Sequence, residues 1–477
     1  MVLPVVGGNE SKVYDVENSL RFNNNDSPHL TFTPSSAGNR RTFTLSVWFK
    51  LSAVASTGER VLLAADDGTG GNNNFDYIAI NGNDKLFVYG YEGSENQQLI
   101  STQVFRDPSA WYHLVVAFDT TDGTASNRIK AYVNGNQITD FDTANYPSQN
   151  FQTRFNNNNA QRISQYPDQD TSYFDGYMCE YNLVDGSQLA PTSFGEFDDN
   201  GVWIPKKYTG SYGTNGFYLE FKQTGTSANS SGIGADTSGN DHHWAVSNLA
   251  ALDVTEDTCT NNFCTFNPID TPHTDPTFSE GNCKIVTQAS TYTYDVANFG
   301  LSQGKWYFEV KCTTSPDKDY HMVGISSTQP TAHNQELGYH ANDYGIYGNG
   351  GVNSLRYGAT FYSYANAINN GDIVGVALDL DNNKLYFSIN GTFQNSSNPA
   401  NATNPISITD PSSTGRGFYF PAICYLDGAN SGTYEANFGN PSFSISSGNN
   451  DGKYGNFEYE VPSGFYAICT KRLAEFG

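Results

Sequence analysis

Residues 371–391 read Gly371-Asp372-Ile373-Val374-Gly375-Val376-Ala377-Leu378-Asp379-Leu380-Asp381-Asn382-Asn383-Lys384-Leu385-Tyr386-Phe387-Ser388-Ile389-Asn390-Gly391. An apolar run of strand length ends in aspartates, turns at Asn382-Asn383 and returns as a second run of β-formers. Asn390-Gly391 then marks another turn, because both residues tolerate positive φ. The stretch is an antiparallel hairpin, and the same pattern spreads outward from it. Upstream, Lys305–Cys312 alternates with Trp306, Phe308, Val310 and Cys312 on one face, the period of two of a half-buried strand. Met322–Ser326, Tyr344–Tyr347, Phe418–Ala422 and Tyr434–Gly439 add further strands.

The N-terminal half repeats this pattern with different residues. In Thr42–Phe49 the strict alternation puts Phe43, Leu45, Val47 and Phe49 on one face. Trp111–Asp119 reads as a more fully buried strand. Ile129–Val133 runs into Asn134-Gly135, and Tyr173–Tyr181 leads to the turn at Val184-Asp185-Gly186. Between the halves, from Thr226 to Phe278, alternation stops, yet Trp244, Phe263 and Phe266 are unsuited to a free linker. The expected fold is all-β: two tandem antiparallel jelly-roll β-sandwiches joined by an irregular packed bridge. The expected division is an N-terminal arm at 1–18, a sandwich at 19–225, the bridge at 226–280 and a second sandwich at 281–477.

Composition agrees. A chain of 477 residues exceeds the roughly 250–300 that one core supports. Hydrophobic residues at 37% and charged residues at 16% are both low, and Tyr, Phe and Gly are abundant, as short strands joined by polar loops require. The net charge of −24 without a long basic run disfavours nucleic acid and anionic membranes. No apolar run approaches a membrane span of about 20 residues, so no membrane insertion is expected. Met1–Gly8 lacks the basic start and apolar core of a signal peptide, so classical secretion is not expected. Seven cysteines do not make a disulfide scaffold. Cys259, Cys264 and Cys283 with His242-His243 form the one metal-like cluster. The second short pair of a zinc site is missing, so free thiols are the reading, with zinc and a disulfide as its rivals.

Two resemblances follow from these motifs. The series Phe43–Lys50, Trp111–Asp119, Ile129–Gln137 and Phe174–Tyr181 resembles the laminin-G/concanavalin-A-like jelly roll. Some members of that family hold calcium at the sandwich rim. Asp66, Asp67, Asp76 and Asp119 are the carboxylates that would supply calcium ligands here, with solvated turn residues as the other reading. The second half resembles the SPRY/B30.2 family through Gly304–Val310 (GKWYFEV), Val323–Ser326 (VGIS), the 371–391 hairpin, Phe420–Ile423 (FPAI) and Asn437–Gly439 (NFG). Such modules bind peptides or protein surfaces through loops and have no catalytic machinery. The aromatic, polar segment holding Tyr339, His340, Asp343, Tyr344, Tyr347, Tyr362 and Tyr364 is therefore the candidate ligand surface.

The joint between the modules resembles one found in virion proteins of marine bacteriophages. The resemblance implies a structural adhesin: a tail fibre or spike, a head fibre or a capsid decoration protein. It would be made in the host cytoplasm without a signal peptide and displayed on the virion surface. Its implied partners are other virion proteins and a host-surface glycan or protein, with no nucleic acid, in a homo-oligomer such as a trimer. The rivals are a cellular or secreted carbohydrate-binding adhesion protein, an intracellular SPRY adaptor and a glycan hydrolase. Hydrolysis needs two carboxylates about 5–9 Å apart. No Glu-x-Asp-x-x-Glu array occurs; Glu458 and Glu460 lack a central Asp, and Glu196 and Asp198 sit in a turn. The expectation is a non-enzyme.

Overall fold

The computed structural model describes residues 14–54, 58–68, 74–166, 171–270, 276–289, 292–314, 320–328, 335–351, 354–425 and 430–477. Two β-sandwiches follow one another. The first stacks two sheets of eight strands. One sheet is centred on Thr42–Leu51, flanked by Tyr112–Asp119 and Gly176–Asp185. The other runs through Glu95–Val104, Lys85–Glu92, Asn74–Ile80, Arg60–Asp66 and Gln161–Ile163. Phe43, Leu45, Val47 and Phe49 all enter the core between the sheets, where they meet Ile78, Ile80, Leu86 and Val88. The turn after Ile129–Val133 holds Asn134 at φ 45° and Gly135 at φ 80°, the doubly positive geometry of a tight hairpin.

The second sandwich pairs an eight-stranded sheet with a six-stranded one. Lys305–Thr314 and Ile373–Asp379 form the centre of the first of these, and Ile373–Asp379 pairs with Lys384–Ile389 in the register Asp379 opposite Lys384. Trp306, Phe308, Val310 and Cys312 point into its core. In the six-stranded sheet the order is Thr293–Val296, Phe420–Tyr425, His321–Ser326, Asp343–Tyr347, Leu355–Tyr357 and Thr360–Tyr362, so Thr360–Tyr362 forms an open edge. No helix among the described residues is long and apolar enough to cross a membrane.

The bridge is irregular and packed, and it serves both sandwiches. Ala245–Ser247 and Val254–Thr255 extend the two sheets of the first module, and Trp244 lies wholly inside its core. Phe263, Cys264 and Phe266 are buried in the second module. At the joint, Lys50 forms a buried ion pair with Asp257, donates to Asn262 Oδ1 at 2.9 Å and sits 4.7 Å above the Tyr177 ring. Arg21, also buried, donates to the carbonyls of Pro441 (2.9 Å) and Leu252 (3.2 Å) and pairs with Glu280 at 3.3 Å. Tyr177 Oη donates to Gly281 O at 3.1 Å, and Asn282 Nδ2 to Ser52 O at 2.8 Å. The contacts of Lys50 with Asp257 and Asn262, of Arg21, and of Ser52 with Asn282 tie the first strands to residues more than 200 positions away.

Candidate recognition surfaces

Alternation decides which residues of the six-stranded sheet can meet a ligand. Asp343, Tyr344 and Tyr347 lie on strand Asp343–Tyr347, one strand in from the sheet's outer pair, and all three are buried. Asp343 accepts from Ser326 Oγ (2.8 Å) and Thr328 Oγ1 (2.6 Å), and burial holds its carboxyl above the usual range. Tyr344 Oη accepts from Thr409 N–H at 3.0 Å, and Tyr347 Oη donates to Leu337 O at 3.1 Å. Their place is structural, which removes them from the candidate surface. Tyr364 is half-buried, its ring edge-on to Phe387 at 6.2 Å. His340 is half-buried against Tyr339.

Tyr339 and Tyr362 remain, 41% and 38% exposed, and the fold joins them to Phe361 and Tyr357 of the same aromatic segment and to Arg356, which the sequence did not single out. On the outer face, the Arg356 guanidinium lies 5.2 Å from the Tyr339 ring and 4.7 Å from Phe361, itself 40% exposed. Arg356 Nη1 pairs with Glu336 at 2.7 Å. A cation held between two aromatic faces and one carboxylate is a rigid, partly desolvated charge. On the inner face, Tyr362 stacks on Tyr357 at 4.4 Å, and Tyr357 on Tyr344 at 5.4 Å, a ring ladder running from core to solvent. The pattern Leu355-Arg356-Tyr357 opposite Thr360-Phe361-Tyr362 carried the signal. Read with a period of two, it sends Arg356 and Phe361 together to one side.

The carboxylates considered for calcium are dispersed. Asp66 pairs with Arg162. Asp67 takes the Asn74 amide. Asp76 is buried and accepts from Gln97 Nε2 at 2.8 Å and from the Arg154 N–H; burial pushes its carboxyl up to about 6 against those donors. Asp119 lies in the opposite sheet, accepting from Thr121 Oγ1 at 2.6 Å. Asp66 and Asp76 are on neighbouring strands offset by one residue, so they point to opposite faces. These four do not fit a shared calcium site, and no group of three His, Cys, Asp or Glu among the described residues is placed to hold a metal. The cysteine cluster separates too. Cys259 Sγ lies 3.7 Å from Cys179 Sγ, while Cys264 and Cys283 are buried elsewhere, and all seven cysteines are thiols. His242 packs on Phe32, and His243 Nδ1 accepts from Asp236 N–H.

The comparisons with known proteins agree with this architecture. Residues 23–190 match the family model described as the Concanavalin A-like lectin/glucanases superfamily, and residues 305–434 match the SPRY domain model. The chain joins a concanavalin A-like module to a SPRY domain. Among solved structures, the SPRY domain of human HERC1 is similar at 12% identity and a TM-score of 0.28, covering 36% of this chain and 96% of that one. The heptameric SAP-like pentraxin from Limulus polyphemus is similar at 16% identity and a TM-score of 0.27, covering 37% and 80%. Stonustoxin is similar at 17% identity and a TM-score of 0.26, covering 36% of this chain and only 27% of that one. No curated protein matches the chain. Both modules are binding folds, and together they suggest a carbohydrate- or protein-binding adhesion unit.

Proposed function

We propose that this chain is a non-catalytic adhesin of a bacteriophage virion, a tail fibre or spike, head fibre or capsid decoration protein. In this reading it holds a host-surface glycan or protein at the open edge of its SPRY sheet. The observation that carries the reading is the set of exposed rings Tyr339, Phe361 and Tyr362 at the open edge of the sheet, with the buried Arg356 guanidinium packed against Tyr339 and Phe361. Its flat rings provide contact area at little cost in side-chain entropy, and the buried Arg356 guanidinium holds two of them in place. The packed bridge supports a display role, because Lys50–Asp257 and Arg21–Glu280 pin it to the first sandwich while Arg21 also donates to Pro441 O in the second. The carboxylates weighed for hydrolysis are engaged apart from one another, Glu458 with Ser446 and Glu196 with Lys206, which favours binding over turnover. The virion setting rests on the resemblance of the module pair and its joint to phage proteins.

The test uses labelled full-length chain and cells of the bacterial host. The intact chain is expected to coat the cells, with coating strongly reduced in Arg356→Ala and Phe361→Ala variants that keep the wild-type melting temperature. Undiminished coating by both variants would refute the surface. Mass spectrometry of purified particles checks the setting, and absence of the chain from them would refute it. Sustained release of reducing sugar from host glycan would overturn the non-catalytic reading.

A further inference from the structure

We propose that Cys179 and Cys259 are a cross-linking site, two thiols set to join as a disulfide that staples the bridge to the first sandwich. Cys179 lies on strand Gly176–Asp185, whose register shifts between Cys179 and Asn182. Met178 and Tyr181 both enter the core across this bulge, while Cys179 turns to the outer face among Val16, Trp48 and Trp203. Cys259 reaches the same cluster from the bridge. Its sulfur stands 3.7 Å from that of Cys179, across 80 positions of chain. A disulfide bond is about 2.05 Å long, so closure asks each sulfur to move by less than about 1 Å.

The turn that carries Cys259 is fixed on both sides. Thr258 and Asn261 exchange backbone hydrogen bonds of 3.1 Å. Thr258 Oγ1 donates to Val16 O at 2.9 Å, and Val16 N–H donates to Thr260 Oγ1 at 3.0 Å. The thiol is therefore held at its partner before any reaction, and little further ordering is needed to form the bond. Access is equally selective. Cys264, Cys283, Cys312, Cys424 and Cys469 are, like Cys179, wholly buried, whereas Cys259 is half-buried and meets solvent. A reagent enters there.

The chemistry is thiol–disulfide exchange with a small disulfide such as oxidised glutathione. The Cys259 thiol gives its proton to solvent, and its thiolate attacks one sulfur of the reagent. A mixed disulfide forms, and one glutathione leaves as a thiolate that takes up a proton. The Cys179 sulfur then attacks Cys259 Sγ, and the second glutathione departs with the Cys179 proton. Two protein thiols are oxidised to one disulfide, and one glutathione disulfide is reduced to two thiols. Burial, followed by neighbouring Cys179 and Glu180, holds the Cys259 thiol well above its ordinary range, so closure is slow at neutral pH and follows folding. A chain folded in a reducing cytoplasm keeps both thiols, and one that reaches oxidising surroundings closes them. The bond joins the first sandwich to the segment that runs into Phe263, which is buried in the second. This site goes beyond the adhesin reading and does not depend on it.

The test takes full-length chain purified in reductant, moves it to oxidised glutathione at about pH 8.5, where more thiolate is present, and samples it over a day. Its intact mass is expected to fall by about 2 Da, the two hydrogens lost on closure. Non-reducing peptide mapping should show Cys179 joined to Cys259, and reductant should reverse both changes. The oxidised chain should melt about 4 °C higher, the scale set by closing an 80-residue loop in a chain of 477 residues. Cys259→Ser and Cys179→Ala should each abolish the mass change and the gain in melting temperature, whereas Cys424→Ala should keep both. The mapping of the wild-type chain decides the matter whether or not a variant folds. Seven unmodified thiols after oxidation, a mixed disulfide at Cys259 that never closes, or linkage to another cysteine would overturn the site. A linked chain with an unchanged melting temperature would overturn its stapling role.

Discussion

Replacing Lys50 by Met tests whether the bridge makes one body of the two sandwiches. The Lys50 side chain is 1% exposed and that of its partner Asp257 is 0% exposed, so neither charge has water to fall back on. Asp257 otherwise receives only the Trp111 Nε1–H at 3.2 Å among the side-chain donors seen around it. Burial raises the Asp257 carboxyl, and the Lys50 ammonium opposes that shift. Lys50→Met therefore leaves an uncompensated buried carboxylate, at a cost of about 3–5 kcal/mol. Asp257→Leu strands the ammonium at a comparable cost. The double variant Lys50→Met/Asp257→Leu removes both charges and should fall within about 1 kcal/mol of wild type, giving a coupling of at least about 5 kcal/mol. The cost of Lys50→Met should also shrink as pH falls and Asp257 protonates. Denaturant unfolding followed by tryptophan fluorescence measures all three variants, since Trp111 touches the pair. Calorimetry of wild type should show the modules melting together. A Lys50→Met penalty below about 1 kcal/mol, or additive single effects, would refute this account of the joint.

Two further perturbations have signs fixed by the structure. Glu180 sits buried in a strand at φ 49°, accepting from the hydroxyls of Tyr14 (3.0 Å) and Tyr218, and burial pushes its carboxyl up to about 7 from an ordinary 4.5. A raised carboxyl gives stability that is complete below about pH 4.5 and is lost as pH rises through 7. Glu180→Gln should match wild type in acid and exceed it by about 3 kcal/mol at pH 8 in urea unfolding; parallel pH profiles would contradict this. Gly281 holds φ 64° at the joint, where an added Cβ would lie 1.9 Å from Tyr177 Oη. Gly281→Ala combines left-handed strain with a clash and should cost about 3 kcal/mol, seen as a lower melting temperature. An unchanged melting temperature would show that the joint yields.

The pattern of alternation determined much of this protein by itself. Strand faces such as Phe43-x-Leu45-x-Val47-x-Phe49 and Trp306-x-Phe308-x-Val310 depend on local pleat geometry, and so do the turns at Asn134-Gly135 and Asn390-Gly391, where φ is positive as their residue types require. Local rules are written in neighbouring residues, so two sandwiches with a packed bridge were legible. The candidate surface was legible only in part. A crowded run of tyrosines gives no indication of which strand is inner and which is the edge, and that order put Tyr344 and Tyr347 inside while leaving Tyr339 and Tyr362 out. Arg356 gained meaning only when pairing brought Phe361 opposite it. Lys50 with Asp257, and Arg21 with Glu280, lie beyond any local rule. Partners 207 or more positions apart meet because the bridge packs back onto the first sandwich, and that packing depends on shape and desolvation across the whole chain rather than on spacing within it.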